Sequence, residues 1–120
     1  MTANEIALTA VKALDSKKGQ DIKCLETGHL TTLADYFVLC TATSTTQVRA
    51  LSDECEKTMK ETAGELPHHV EGHRGGTWIL LDFSSVVVHI FNEEAREFYD
   101  LERLWSDAPP VDLSGVLTEN

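Results

Sequence analysis

No stretch of this chain is apolar for anything near the ~20 residues that a membrane-spanning helix needs, so no membrane association is expected. The opening "MTANEIALTAVKALDSKKG" lacks the basic start, apolar block and cleavage site of a secretion signal, and the expected location is cytoplasmic. Cysteine is scarce: Cys24, Cys40 and Cys55 form no CxxC pair, and an odd count makes no disulfide framework. Each sits among apolar residues, which reads first as a small buried hydrophobe and second as a reactive thiol. Positive charge is also in short supply. Ten Lys and Arg face 20 Asp and Glu, for a net charge of −10. A nucleic-acid surface needs clustered lysine and arginine, so little direct nucleic-acid contact is expected.

What is present suits one globular domain: 120 residues, 42% hydrophobic and 25% charged. The charge is uneven. From Glu93 onward there are eight acids against two bases, Arg96 and Arg103. Such an end serves solubility, or it draws in a basic partner through a field of one sign. The expected organisation is a single domain over residues 1–106, followed by an acidic, proline-containing tail over 107–120 without periodicity.

Thr2 and Glu5 have the spacing of a capping box. Ile6, Ala10, Val11 and Leu14 then share one helical stripe, which Gly19 ends. Asp21 to Glu26 reads as a short strand, "TGHLTTLAD" as a loop, and Tyr36 to Thr41 as a strand apolar enough to be covered on both faces. Ser44 and Gln47 form a second capping-box candidate, ahead of a stripe of Val48, Leu51, Cys55 and Met59 that stops near Gly64. "LPHHVEG" suits a short edge strand, and Gly72, Gly75 and Gly76 a mobile connection. Asn92 caps a last helix with Glu93 and Glu94 in its first turn. The order is α-β-β-α-β-β-β-α, an α+β or mixed α/β fold.

"WILLDFSSVVVHIF", Trp78 to Phe91, reads as two apolar runs joined by a serine pair. With Ser84-Ser85 as a two-residue turn, Asp82 faces Val87, Leu81 faces Val88, Leu80 faces His89, Ile79 faces Ile90 and Trp78 faces Phe91. Alternation puts Ile79, Leu81, Phe83, Val86, Val88 and Ile90 on one wholly apolar face. The opposite face is Trp78, Leu80, Asp82, Val87, His89 and Phe91, apolar but carrying a carboxylate, an imidazole and an indole. Either a helix covers this face too, or it is a recognition patch with aromatic anchors, or a helix covers Phe91 and leaves Trp78 at the edge. Serine is a poor residue for a primed turn, which leaves the register less secure than the pattern.

"LADYFVLCTATSTTQVRAL" followed by "WILLDFSSVVVHIFNEEAREFYDLERLW" closely resembles the Iojap-like ribosomal silencing factors, RsfS, over nearly the whole chain. The family pattern falls on Ala34, Asp35, Tyr36, Phe37 and Arg49. It continues at Trp78, Leu81, Asp82, His89, Phe91, Ala95, Arg96, Phe98, Tyr99, Leu101, Glu102 and Trp105. The chain departs at Phe83, where tyrosine is usual, and at Ser84-Ser85, where Gly-Asp is common. The resemblance implies a small mixed five-stranded sheet with helices, similar to a nucleotidyltransferase core. It implies binding and no catalysis: docking on large-subunit ribosomal protein fourteen at the intersubunit face, which blocks joining of the small subunit and represses translation when nutrients are limiting. The expected partner-binding residues are Trp78, Leu80 and Phe91 as apolar anchors, Asp82, Asp100 and Glu102 toward basic side chains, and His89 and Tyr99 beside them.

Chemistry offers weaker readings. His68, His69, Glu71 and His73 are all metal-ligand types, but adjacent histidines on a strand point to opposite sides and no recognised zinc spacing is present. "ATSTTQ" could form an anion-binding loop at a helix start, yet the carboxylate pair that two-metal nucleotidyl transfer needs is missing. No catalytic residue, cofactor or metal is therefore expected. Two alternatives stand beside the ribosomal reading: a metal-dependent nucleotidyltransferase-like enzyme, and a homodimer that uses the same patch for itself. Asp82 and His89 are expected to bridge across the strands.

Overall fold

The computed structural model describes residues 1–117. Helix α1 (Ala3–Ser16) begins at the expected capping box, with Glu5 N–H donating to Thr2 Oγ1 at 3.1 Å and Thr2 N–H to Glu5 Oε1 at 2.9 Å. Strands β1 (Gln20–Glu26) and β2 (Tyr36–Ala42) follow, then α2 (Thr45–Ala63), β3 (His69–Glu71), β4 (Trp78–Asp82) and β5 (Val86–Asn92). The last helix is broken in two, α3 (Glu93–Tyr99) and the single turn α4 (Leu101–Leu104). The expected element order holds, with that one division added.

The sheet is mixed, in the order β1-β2-β5-β4-β3, with β2 and β5 parallel and the other neighbouring pairs antiparallel. The β4–β5 register is the one that the alternation implies, from Trp78↔Phe91 to Asp82↔Val87. Ser84 sits in the left-handed region at φ 71°, a cost for a residue with a Cβ. Asp82 offsets it, because its Oδ1 accepts the Ser84 N–H at 2.8 Å.

The wholly apolar face of the hairpin is the core. Ile79, Leu81, Phe83, Val86, Val88 and Ile90 are buried beneath the stripes of α1 and α2. Full burial of each such side chain contributes roughly 1.5–3 kcal/mol of transfer free energy. Gly19 matters here for space: a Cβ would strike Cys40 Sγ, and the left-handed residue is Lys18, at φ 62°.

Two expectations about connections are corrected. Gln47 does not complete a reciprocal capping box with Ser44. Its Oε1 accepts from Thr43 N–H at 2.6 Å, while its Nε2 reaches the Lys17 and Lys18 carbonyls, tying the start of α2 to the end of α1. The glycine-rich stretch after β3 is anchored and not a free linker. Arg49 donates to the His73 and Arg74 carbonyls at 3.1 and 2.8 Å. Gly72, at φ 84°, packs so closely on the Trp78 carbonyl that no side chain fits between them.

The segment expected to trail off as a tail also belongs to the fold as far as it is described. Glu26 N–H donates to Pro109 O and Val111 N–H to Cys24 O, each at 2.8 Å, so the chain lies along the open edge of β1. Ala108 and Leu113 are buried by it. An unpaired sheet edge invites unwanted pairing, and this segment covers one. Residues 118–120 lie outside the described residues.

A candidate docking surface built on Trp78

On the second face of the sheet, Phe37, Leu39, Val87 and Phe91 form a smaller apolar cluster with Leu25, Ala34 and Ala108. Ala95, Leu101 and Trp105 pack on it from the α3–α4 side. The turn between those helices is made by Asp100, held left-handed at φ 45°. It sends Leu101 and Trp105 back over the sheet and leaves Tyr99 beside Trp78. The arrangement is the mixed one: a helical cover over Phe91, with Trp78 at its margin.

Trp78 is part-exposed and held from three sides. Its ring stacks on Phe91, with centroids 5.1 Å apart and planes 27° apart, and Tyr99 lies 4.5 Å away. Its indole N–H donates to His89 Nδ1 at 3.2 Å. This replaces the expected Asp82–His89 bridge, since Asp82 is occupied with the turn. His89 is itself buried, between Phe91 at 5.9 Å and Phe37 at 5.2 Å. Burial pushes its imidazole down to about 4, so it is neutral near neutral pH. With Nδ1 accepting, the ring proton is on Nε2, a buried atom that has no hydrogen-bond partner among the described residues.

The expected site residues therefore divide. Trp78, Leu80 and Asp82 are part-exposed on the second face, Tyr99 is 50% exposed and Asp100 is exposed. Phe91, 1% exposed, and His89, 5% exposed, lie beneath Trp78 and present little surface of their own. Glu102 is engaged within the molecule, accepting from Arg96 Nε at 3.0 Å and from Lys23 Nζ at 2.9 Å. Burial draws its carboxyl upward, but the bonds from Arg96 and Lys23 outweigh that and hold it below the usual range. Lys23 is raised, first by its hydrogen bond to Glu102. Outside the expected set, Phe98, 81% exposed and in edge contact with Tyr99 at 5.0 Å, extends the apolar surface, and Leu104 on α4 is 71% exposed. The signal of Phe98 lay in the sequence, as an apolar residue in an acidic helix, but helix phase alone does not say which side the sheet takes.

Arg96 is the centre of a buried clasp that sequence reading left without a role. Its Nη1 donates to the Asp21 carbonyl and to Thr41 Oγ1 at 2.6 and 2.8 Å. The carbonyl arrives there because β1 has an irregularity between Gln20 and Lys23, with Asp21 left-handed at φ 46°. Arg96 thus locks α3 to β1 and β2, and with it the position of Tyr99.

A cleft of about 730 Å³ opens outside the carboxyl ends of β2 and β5, where α2 leaves over one face and α3 over the other. Open α/β sheets commonly bind ligands at such a point. Here Arg96 is the single cation among the described lining residues, and it is committed to the clasp. Glu93, Glu94 and Glu97 around it disfavour a phosphate. Among the described residues no group of three or more His, Cys, Asp or Glu converges as a metal site. His69 pairs with Glu71 at 3.1 Å, whereas His73 turns to Asp53 at 3.7 Å. The three cysteines are buried, and burial pushes Cys24 and Cys40 up to about 12 and Cys55 upward as well. They are packing residues and not thiolates. Among the described residues no helix is long and apolar enough to cross a membrane.

An aromatic anchor with apolar neighbours and a rim of carboxylates is the composition of a protein-binding surface, carried here on a small α+β domain. Comparison with known proteins gives that domain its family. The family model described as "Ribosomal silencing factor during starvation", RsfS, matches residues 1–120. The chain is 37% identical over 118 residues to the ribosomal silencing factor RsfS of Halalkalibacterium halodurans, covering 98% of this chain and 100% of that one. It is 33% identical to the chloroplastic protein Iojap of Zea mays, covering 89% of this chain and 46% of that one. A crystal structure of a Chromobacterium violaceum protein superposes with a TM-score of 0.86 at 38% identity, covering 97% of this chain and 96% of that one. The chain belongs to the RsfS family of ribosomal silencing factors.

Proposed function

We propose that this protein docks on the large ribosomal subunit, through ribosomal protein fourteen at the intersubunit face, and represses translation by excluding the small subunit when nutrients are limiting. The observation that carries this is the surface around Trp78: an indole at the sheet margin, Leu80, Tyr99 and Phe98 around it, and Asp82 and Asp100 at its rim. Ribosomal proteins expose lysine and arginine, which such a rim attracts. The protein acts by occupancy in the cytoplasm, with no cofactor and little contact to RNA. In that role His89 and Phe91 support the indole from beneath, and Glu102 fixes α3.

The test is direct pull-down of purified ribosomal protein fourteen, with other large-subunit proteins as controls. Saturable one-to-one binding to that protein supports the assignment. Binding to a different large-subunit protein would move the dock elsewhere on the same particle.

A further inference from the structure

Backbone register fixes where Trp78 starts, but not how its indole lies. Two torsions remain free, and stacking on Phe91 and Tyr99 allows a ring to slide or turn over within its plane. Among the described residues the directional restraint is the bond from the indole N–H to His89 Nδ1. His89 is well suited to give it. It stands on β5, between β2 and β4, with its ring nearly parallel to Phe91 (10°) and steeply inclined to Phe37 (66°). For packing alone an imidazole is a poor choice here. The site is apolar, and Nε2 is left buried without a partner among the described residues, which costs desolvation that a phenyl ring would avoid.

We propose that His89 is a positioning residue for docking: by accepting the Trp78 indole N–H, it holds the exposed edge of the indole in the one orientation that the partner meets. The inference rests on Trp78 being the docking anchor. An anchor ordered before contact loses less side-chain freedom on binding. Removing the acceptor should weaken docking about three- to tenfold, the range that re-immobilising one side chain implies.

Four forms of the full chain test it: wild type, His89→Phe, His89→Asn and Trp78→Ala. Each is measured for affinity to isolated large subunits. The indole N–H resonances are read by NMR, with Trp105 as the internal reference and Trp78→Ala assigning the other signal. His89→Phe keeps a flat ring against Phe37 and Phe91 but has no acceptor. The expected result is a Trp78 resonance that loses its hydrogen-bond shift, with weaker docking. His89→Asn, whose amide oxygen can stand close to the Nδ1 position, should recover both together. Wild-type affinity in His89→Phe, alongside loss of docking in Trp78→Ala, would overturn the positioning role and leave the dock intact. Wild-type affinity in Trp78→Ala would overturn the dock and the positioning role with it. If His89→Phe does not fold, His89→Leu, which also lacks an acceptor, takes its place: loss of the shift and of affinity together supports the role, and either one without the other overturns it.

Discussion

His89 must be neutral in the folded protein, so acid should unfold this chain sooner than its surface carboxylates alone require. Its imidazole titrates ordinarily at 6.5 and is pushed down to about 4 by burial. The unfolded chain therefore binds the extra proton first. The stability that this neutral histidine permits is fully present above pH ~6.5 and is lost as pH falls from there toward ~4. A gap of about 2.5 units corresponds to about 3 kcal/mol, lost at about 1.4 kcal/mol per pH unit. The surroundings supply no relief: the rings of Phe37, Trp78 and Phe91 lie against the imidazole, and a protonated Nδ1 would point a second donor at the Trp78 N–H. Urea unfolding of wild type and His89→Phe over this pH range isolates the effect. Glu5, Glu102 and Asp112, whose carboxyls are also shifted, are common to both proteins and cancel in the difference. Stability relative to the variant should drop by about 3 kcal/mol between neutral pH and pH ~4. Parallel curves would refute the reasoning, because they would mean that His89 binds its proton in the fold as it does in the unfolded chain.

Replacing Arg96 by Leu should lower stability by roughly 3 kcal/mol in thermal or urea unfolding, since it strips the clasp and leaves the Asp21 carbonyl and Glu102 without their buried donor. Raising salt should slow association with large subunits in stopped flow while dissociation changes less; an on-rate indifferent to salt would reduce the acids to a solubility device. Incubation with nucleoside triphosphates and magnesium or manganese should give no product above background, because Arg96, the single cation among the cleft's described lining residues, is already bonded and acids surround it; stoichiometric nucleotidylation of an acceptor would contradict occupancy as the mechanism.

The β4–β5 hairpin could be read from the sequence because one of its two faces carries no polar side chain. The apolar series Ile79, Leu81, Phe83, Val86, Val88 and Ile90 admits one face and one turn length, and the register follows even though Ser84 is a strained turn residue. What fills the other face was harder to see. It depends on Asp100 adopting a left-handed conformation, which no glycine announces, and so folding Leu101 and Trp105 back over Phe91. Phe91 and His89 share the alternation of Trp78, and alternation reports the face of a residue but not the depth of its cover. The segment after Trp105 has no period because backbone bonds to Glu26 and Cys24, and not a side-chain stripe, hold it to β1. The Arg96 clasp joins residues far apart in sequence through a bulge carbonyl, a contact that residue types do not encode.

On the proposed function, the surface around Trp78 engages the large ribosomal subunit and thereby excludes the small one. Co-sedimentation with separated subunits, followed by a subunit-joining assay, tests it most directly when wild type and Trp78→Ala are run side by side. Trp78 is part-buried, so truncation should cost on the order of 2 kcal/mol, less than the ~3–5 kcal/mol of a fully buried aromatic, and leave the protein folded at the assay temperature. Wild type should sediment with large subunits only and prevent joining, and the variant should do neither, with affinity reduced roughly thirtyfold or more. Sedimentation of wild type with small subunits, or a folded Trp78→Ala that still binds large subunits and blocks joining, would contradict the account.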